Sequence, residues 1–157
     1  MKRLILLLLL LLTITGCAKG KAAYRTLTCD YDFNDAVSGT AKTSLKITFN
    51  QDRKTFEIVK GTINFDVSFE QGLSNEEMTE LKQSLNEQFC DEGFFGEGTN
   101  KSCKVTSQTK SASVVIEVDT EKLVRDNEDI DSGKETLDDL KAAIEENFDS
   151  EVTCTIN

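Results

Sequence analysis

Five cysteines and a surplus of carboxylates are the side chains with chemistry to offer in these 157 residues. Histidine is absent. Its absence removes the commonest general base, the commonest metal ligand and every serine–histidine or cysteine–histidine nucleophile. With Cys17 set aside, Cys29, Cys90, Cys103 and Cys154 remain, and an even set in an exported chain reads as two disulfides. Three pairings exist. Cys29 and Cys154 sit in alternating apolar segments near opposite ends of the chain, whereas Cys90 and Cys103 bracket one glycine-rich loop. Cys29–Cys154 with Cys90–Cys103 is therefore the expected pattern. Zinc is the rival reading, but no two cysteines show Cys-x-x-Cys spacing and no histidine completes a ligand set.

The bracketed loop reads Gly93-Phe94-Phe95-Gly96-Glu97-Gly98. A phosphate loop needs Lys-Ser or Lys-Thr after its closing glycine, and Thr99-Asn100 stand there instead. Phe94 and Phe95 have two readings. Exposed, they form a contact patch for a partner or lipid; packed inward, they cap the core. The acidic run Asp126 to Ser132, with Gly133, resembles a calcium loop at a glance. With Gly133 at loop position six, Ile130 falls where a ligand belongs; with Asp129 as position one instead, the twelfth residue is Leu140 rather than glutamate. Asp129 and Asp131 remain weak candidates for a looser cation site, against the plainer reading of a solvated loop. Carboxylate pairs serve glycosidases at roughly 5–10 Å. With 28 acidic residues, no one pair stands out, and no tryptophan shapes a sugar site. The chain is expected not to be an enzyme and to need no cofactor. Its formal charge is −10, or −12 without Lys2 and Arg3, a sign that repels nucleic acid and anionic lipid.

Alternation and helical spacing supply the elements that must carry these residues. Leu27, Cys29 and Tyr31 share one parity, which predicts a half-buried strand, and Leu45, Ile47 and Phe49 predict another. Asn50 to Arg53 reads as a turn. A third strand begins with Phe56 and Ile58 but continues with Ile63, Phe65, Val67 and Phe69 on the opposite parity. A bulge at Lys60-Gly61 would restore one buried face. Ser74 and Glu77 form a capping box, followed by Met78, Leu81, Leu85 and Phe89 at helical spacing, with Cys90 at the end. Val105, then Val114, Ile116 and Val118, mark two more strands. Thr120 caps a short helix. Thr136 caps a final one carrying Leu137, Leu140, Ile144 and Phe148, and Val152, Cys154 and Ile156 close with a strand. The order β-β-β-α-β-β-α-β predicts an α+β domain: one antiparallel sheet, helices on one face, two disulfides.

The first residues carry a different message. Lys2-Arg3, the apolar run Leu4 to Leu12 and a small-residue end form the layout of a secretory signal peptide. The run is shorter than the roughly 20 apolar residues that span a bilayer. Ile14-Thr15-Gly16-Cys17 resembles a bacterial lipobox. That resemblance implies cleavage after residue 16, a diacylglycerol on Cys17, a tether over 17–23 and a single extracytoplasmic domain over 24–157. A plain secretory peptide is the alternative. Beyond the lipobox, Thr28-Cys29, Leu45-Lys46-Ile47-Thr48-Phe49, the mid-chain cysteine pair, Val118-Asp119 and the terminal Val152-Thr153-Cys154 are similar to the small YehR-like bacterial lipoproteins. This resemblance implies an envelope location and an α+β fold, but no activity. The expectation is a lipid-anchored, non-catalytic binding or interaction module with an envelope protein partner. A cation or small-ligand binder using the acidic loop is the alternative, and an envelope enzyme the third reading.

Overall fold

Six strands hydrogen-bond into one sheet in the computed structural model, which describes residues 23–33, 41–126, 136–148 and 152–157. In chain order they are β1 (Tyr24–Phe33), β2 (Ala41–Asp52), β3 (Ile58–Phe69), β4 (Asn100–Gln108), β5 (Ser111–Val118) and β6 (Thr153–Ile156). Helix α1 (Asn75–Leu85) runs into a π-helical turn (Asn86–Asp91) between β3 and β4. Helices α2 (Thr120–Asp126) and α3 (Thr136–Asn147) lie between β5 and β6. The spatial order is β4-β5-β3-β2-β1-β6, antiparallel throughout. This is the α+β class read from the sequence, and the short helix expected at Thr120 is present as α2.

One sheet face is apolar. Leu27, Ile47, Phe49, Ile63, Val114 and Ile116 are each buried to within 1% of complete and join Leu85 of α1 and Leu137, Leu140 and Ile144 of α3 in one core. The opposite face is polar and uncovered by any described helix; Thr28, Thr48 and Thr62 stand in register across β1, β2 and β3. Alternation produces this split because successive strand side chains point to opposite sides.

The parity switch in β3 does produce a bulge, but earlier than the glycine. Asn50 pairs with Lys60 and Gln51 with Ile58, so Val59 is the extra residue. Ile58 and Ile63 consequently both face the core. Gly61 has another reason to be glycine: a Cβ there would lie 2.4 Å from Phe49 Cε1. The predicted Asn50–Arg53 turn also moves. β2 continues through Asp52, and the turn falls at Arg53–Thr55. Phe56 leaves the strand and adopts φ 59°. A left-handed L-residue costs roughly 1–2 kcal/mol. Buried Gln51 holds it there: Nε2 donates to the Phe56 carbonyl at 2.9 Å and to Thr136 Oγ1 at 2.6 Å.

The capping box forms as read. Ser74 N donates to Glu77 Oε2 at 2.8 Å, and Glu77 N donates to Ser74 Oγ at 3.3 Å. The backbone bond first, then the hydroxyl, holds the Glu77 carboxyl below its ordinary range. At α2 the cap is Asp119 rather than Thr120, because Asp119 Oδ1 accepts from Lys122 N at 2.9 Å.

Candidate functional site

The two disulfides form as expected and organise the cleft's surroundings. Cys29 and Cys154 face each other across β1 and β6 with Cα atoms 4.0 Å apart. Thr26 and Asn157 exchange both backbone bonds, so the cysteines occupy a pair without hydrogen bonds, where opposed Cα atoms come closest. Cys90 and Cys103 join the π turn to β4 and close the loop that carries Phe94 and Phe95.

The π turn was not legible as such; the apolar spacing reads as plain helix through Phe89. Its wider winding leaves carbonyls to satisfy, and Asn100 Nδ2 donates to those of Phe89 at 2.8 Å and Cys90 at 3.2 Å. Such turns concentrate at functional sites. Here the turn buries Phe89 against Phe65, centroids 4.7 Å apart, while Cys90 bonds to β4.

Glycine lets the loop beyond turn tightly. Gly93 has φ 75°, and a Cβ on it would meet the Gly96 carbonyl oxygen at 2.3 Å. That same carbonyl accepts from Thr99 Oγ1 at 2.7 Å, and buried Thr99 accepts from Asp119 N at 2.8 Å. The loop is thereby tied to the start of α2.

Phe94 and Phe95 are half-buried and packed against the core, so they do not protrude as an isolated patch. They form one wall of a cleft instead. Phe94 stacks on Phe89 at 6.1 Å and on Phe148 at 6.0 Å, and meets Phe95 edge-on at 5.1 Å. Phe95 reaches Phe49 at 5.9 Å, and Phe148 reaches Tyr31 at 6.0 Å. Each contact lies in the 4.5–7 Å range of favourable ring pairs. The cleft between sheet, loop and α3 has a volume of about 1260 Å³. Leu45, Leu140 and Ile144 line its apolar depth, and Asp32, Gln88 and Asn147 supply polar atoms to the lining. Among its described lining residues only Asp32 and Tyr31 are ionisable. The arrangement offers burial and stacking rather than an acid–base pair. Pockets of such character take small apolar ligands with a few polar groups to orient them.

Cys17, Asp129 and Asp131 lie outside the described residues. Among the described residues no three histidine, cysteine, aspartate or glutamate side chains are grouped to hold a metal ion. No helix among them is long and apolar enough to cross a membrane. Sequence reasoning placed Tyr31, Phe65, Phe89 and Phe148 on apolar faces but did not bring them together. The available signal was that each ends or interrupts its apolar stripe with an aromatic ring. Compared with family models, curated proteins and solved structures, the chain matches none of them.

Proposed function

We propose that this chain is a non-catalytic binding module of the bacterial envelope, lipid-anchored through Cys17, that takes a small apolar or aromatic ligand into the phenylalanine-lined cleft. The observation that carries the ligand class is the ring chain Phe65–Phe89–Phe94–Phe148–Tyr31, drawn from β3, the π turn, the loop, the end of α3 and β1 around one open volume. Support for the location comes from the lipobox-like Ile14-Thr15-Gly16-Cys17 and from two disulfides, which persist in oxidising compartments. Two acyl chains hold a protein stably at a membrane.

The ligand reading is tested with N-phenyl-1-naphthylamine, an uncharged apolar fluorophore, titrated into oxidised protein beginning at Gly20. Saturable one-site enhancement is expected. Ala143→Phe, which fills the cleft, abolishes it, and Thr155→Phe on the exposed sheet edge leaves it intact. At 100 times its dissociation constant the probe stabilises the fold by about 2.7 kcal/mol, read as a raised melting temperature. Unsaturable uptake, or saturable binding that Ala143→Phe does not touch, sinks the reading. Intact mass of the membrane fraction tests the anchor: a Cys17 without lipid would overturn it.

A further inference from the structure

We infer that the end of the sheet where β1 begins is a membrane-facing surface that seats the domain on an anionic lipid bilayer. Three of the four exposed large apolar side chains gather there: Tyr24 at 46% exposure, Phe56 at 48% and Val59 at 50%. Their proximity follows from the pairing. Tyr24 faces Asp52 across β1 and β2, Phe56 N donates to Asp52 O at 2.8 Å, and Val59 is the bulge residue facing Asn50 and Gln51.

Phe56 is held in an unfavourable backbone region and is not repaid by burial. Among the described residues it alone has positive φ without being glycine. Gln51, itself fully buried, pins its carbonyl. A strained, half-exposed aromatic kept in place by a buried side chain is the kind of outlier from which function is inferred.

The loop between β2 and β3 carries charge of the opposite sign to the chain. Arg53 Nε donates to the Tyr24 carbonyl at 3.2 Å, Lys54 stands in the same turn and Lys60 follows the bulge, and no carboxylate lies within 4.0 Å of their charged groups among the described residues. Arg25 is occupied by Asp138 at 3.0 Å. From Asp52 to Lys60 the three cations outnumber Asp52 and Glu57 in a chain of net charge −10, while Asp138 and Asp139 stand on the first turn of α3 beside Arg25. An anionic bilayer repels the acidic body and attracts this loop, which orients the molecule. Tyrosine and phenylalanine beside lysine and arginine suit the headgroup layer, where rings insert and long basic side chains reach phosphates.

The chain before β1 enters from the same place. Ala23 O accepts from Arg53 N at 3.2 Å. Cys17 stands seven residues before Tyr24, at most about 25 Å away when fully extended. Whether lipid on Cys17 or the apolar run Leu4 to Leu12 enters the bilayer, this end is the one brought to it.

The chain has no tryptophan, so one introduced indole reports its own surroundings. Full-length Phe56→Trp, Val59→Trp and Thr109→Trp proteins are mixed with vesicles of phosphatidylcholine containing one quarter phosphatidylglycerol. Thr109 lies in the β4–β5 turn at the other end of the sheet, about 26 Å along β3 from Lys60 at ~3.3 Å per residue. Emission from Phe56→Trp and Val59→Trp is expected to shift to the blue and to be quenched by headgroup-labelled doxyl lipid, while Thr109→Trp is unaffected. Adding Arg53→Glu, Lys54→Glu and Lys60→Glu removes the shift and the quenching. Equal quenching at both ends, quenching that survives the charge reversal, or no sedimentation of the protein with the vesicles overturns the inference. Two tryptophan positions keep the test valid if Phe56→Trp does not fold.

Discussion

Removing one disulfide at a time should expose a difference set by chain topology. Cys29–Cys154 spans 125 residues of sequence and Cys90–Cys103 spans 13. In the chain-entropy model the longer loop withholds about 4.9 kcal/mol of unfolded-state entropy at 25 °C, and the shorter about 2.9 kcal/mol. The expected gap is therefore about 2 kcal/mol in favour of Cys29–Cys154. Cys29→Ala/Cys154→Ala and Cys90→Ala/Cys103→Ala are compared with the oxidised parent by urea unfolding, followed by far-ultraviolet circular dichroism. With a slope of roughly 1–3 kcal/mol per molar urea, the two midpoints should separate by about 1 M. Since whole domains are stable by only about 5–15 kcal/mol, the first variant should stand near the edge of unfolding. Equal losses, or a larger loss for Cys90→Ala/Cys103→Ala, would refute the reasoning. In that case β6 peels away by itself, and the bridge tethers an edge strand rather than closing the domain.

Gly61→Ala drives a methyl into the fully buried Phe49 ring and should cost about 1–3 kcal/mol, measured as a lowered melting temperature with binding of the apolar probe retained wherever the fold survives. Gln51→Leu leaves the Phe56 carbonyl and the Thr136 hydroxyl without their amide partner and should cost about 2 kcal/mol in denaturant. Ser74→Ala should cost about 1 kcal/mol through the lost cap. Glu77 binds a proton less readily folded than unfolded, so its contribution is full above the ordinary carboxylate range and is lost as pH falls through its depressed folded value. Carboxyl carbon NMR should show the Glu77 midpoint below that of a free glutamate and returning upward in Ser74→Ala; an unchanged midpoint would refute the capping-box account.

Patterns that repeat were readable, and single-residue events were not. Leu45, Ile47 and Phe49 announce a strand three times over, and Ser74 with Glu77 announce a helix start by mutual bonding, so both held. The even cysteine set left three pairings, and the sheet realises the one in which Cys29 and Cys154 occupy facing positions. Gln51 reads as a turn residue because its polarity suits one. It is fully buried because Thr136, which accepts its hydrogen bond, arrives from 85 residues away, a distance no local window contains. Val59 rather than Gly61 takes up the bulge, since glycine is claimed there by the Phe49 ring. The cleft was invisible for the same reason: its rings belong to five separate stretches, and Phe94 reads equally well as core or surface until Phe148 is placed against it.

The last strand pairs with the first, and this imposes an order of events on biosynthesis. A ribosome delivers β1 early and β6 much later, Cys154 following Cys29 by 125 residues. Until then one edge of β1 has no partner, and an unpaired edge is a template for aberrant pairing. The Cys29 thiol waits through the same interval, while Cys90 and Cys103 both emerge before Cys154. Early oxidation can therefore trap Cys29 with either of them. A chain that oxidises only after β6 has emerged avoids that snare, because α1 and the π turn have by then brought Cys90 to Cys103 and removed both competitors.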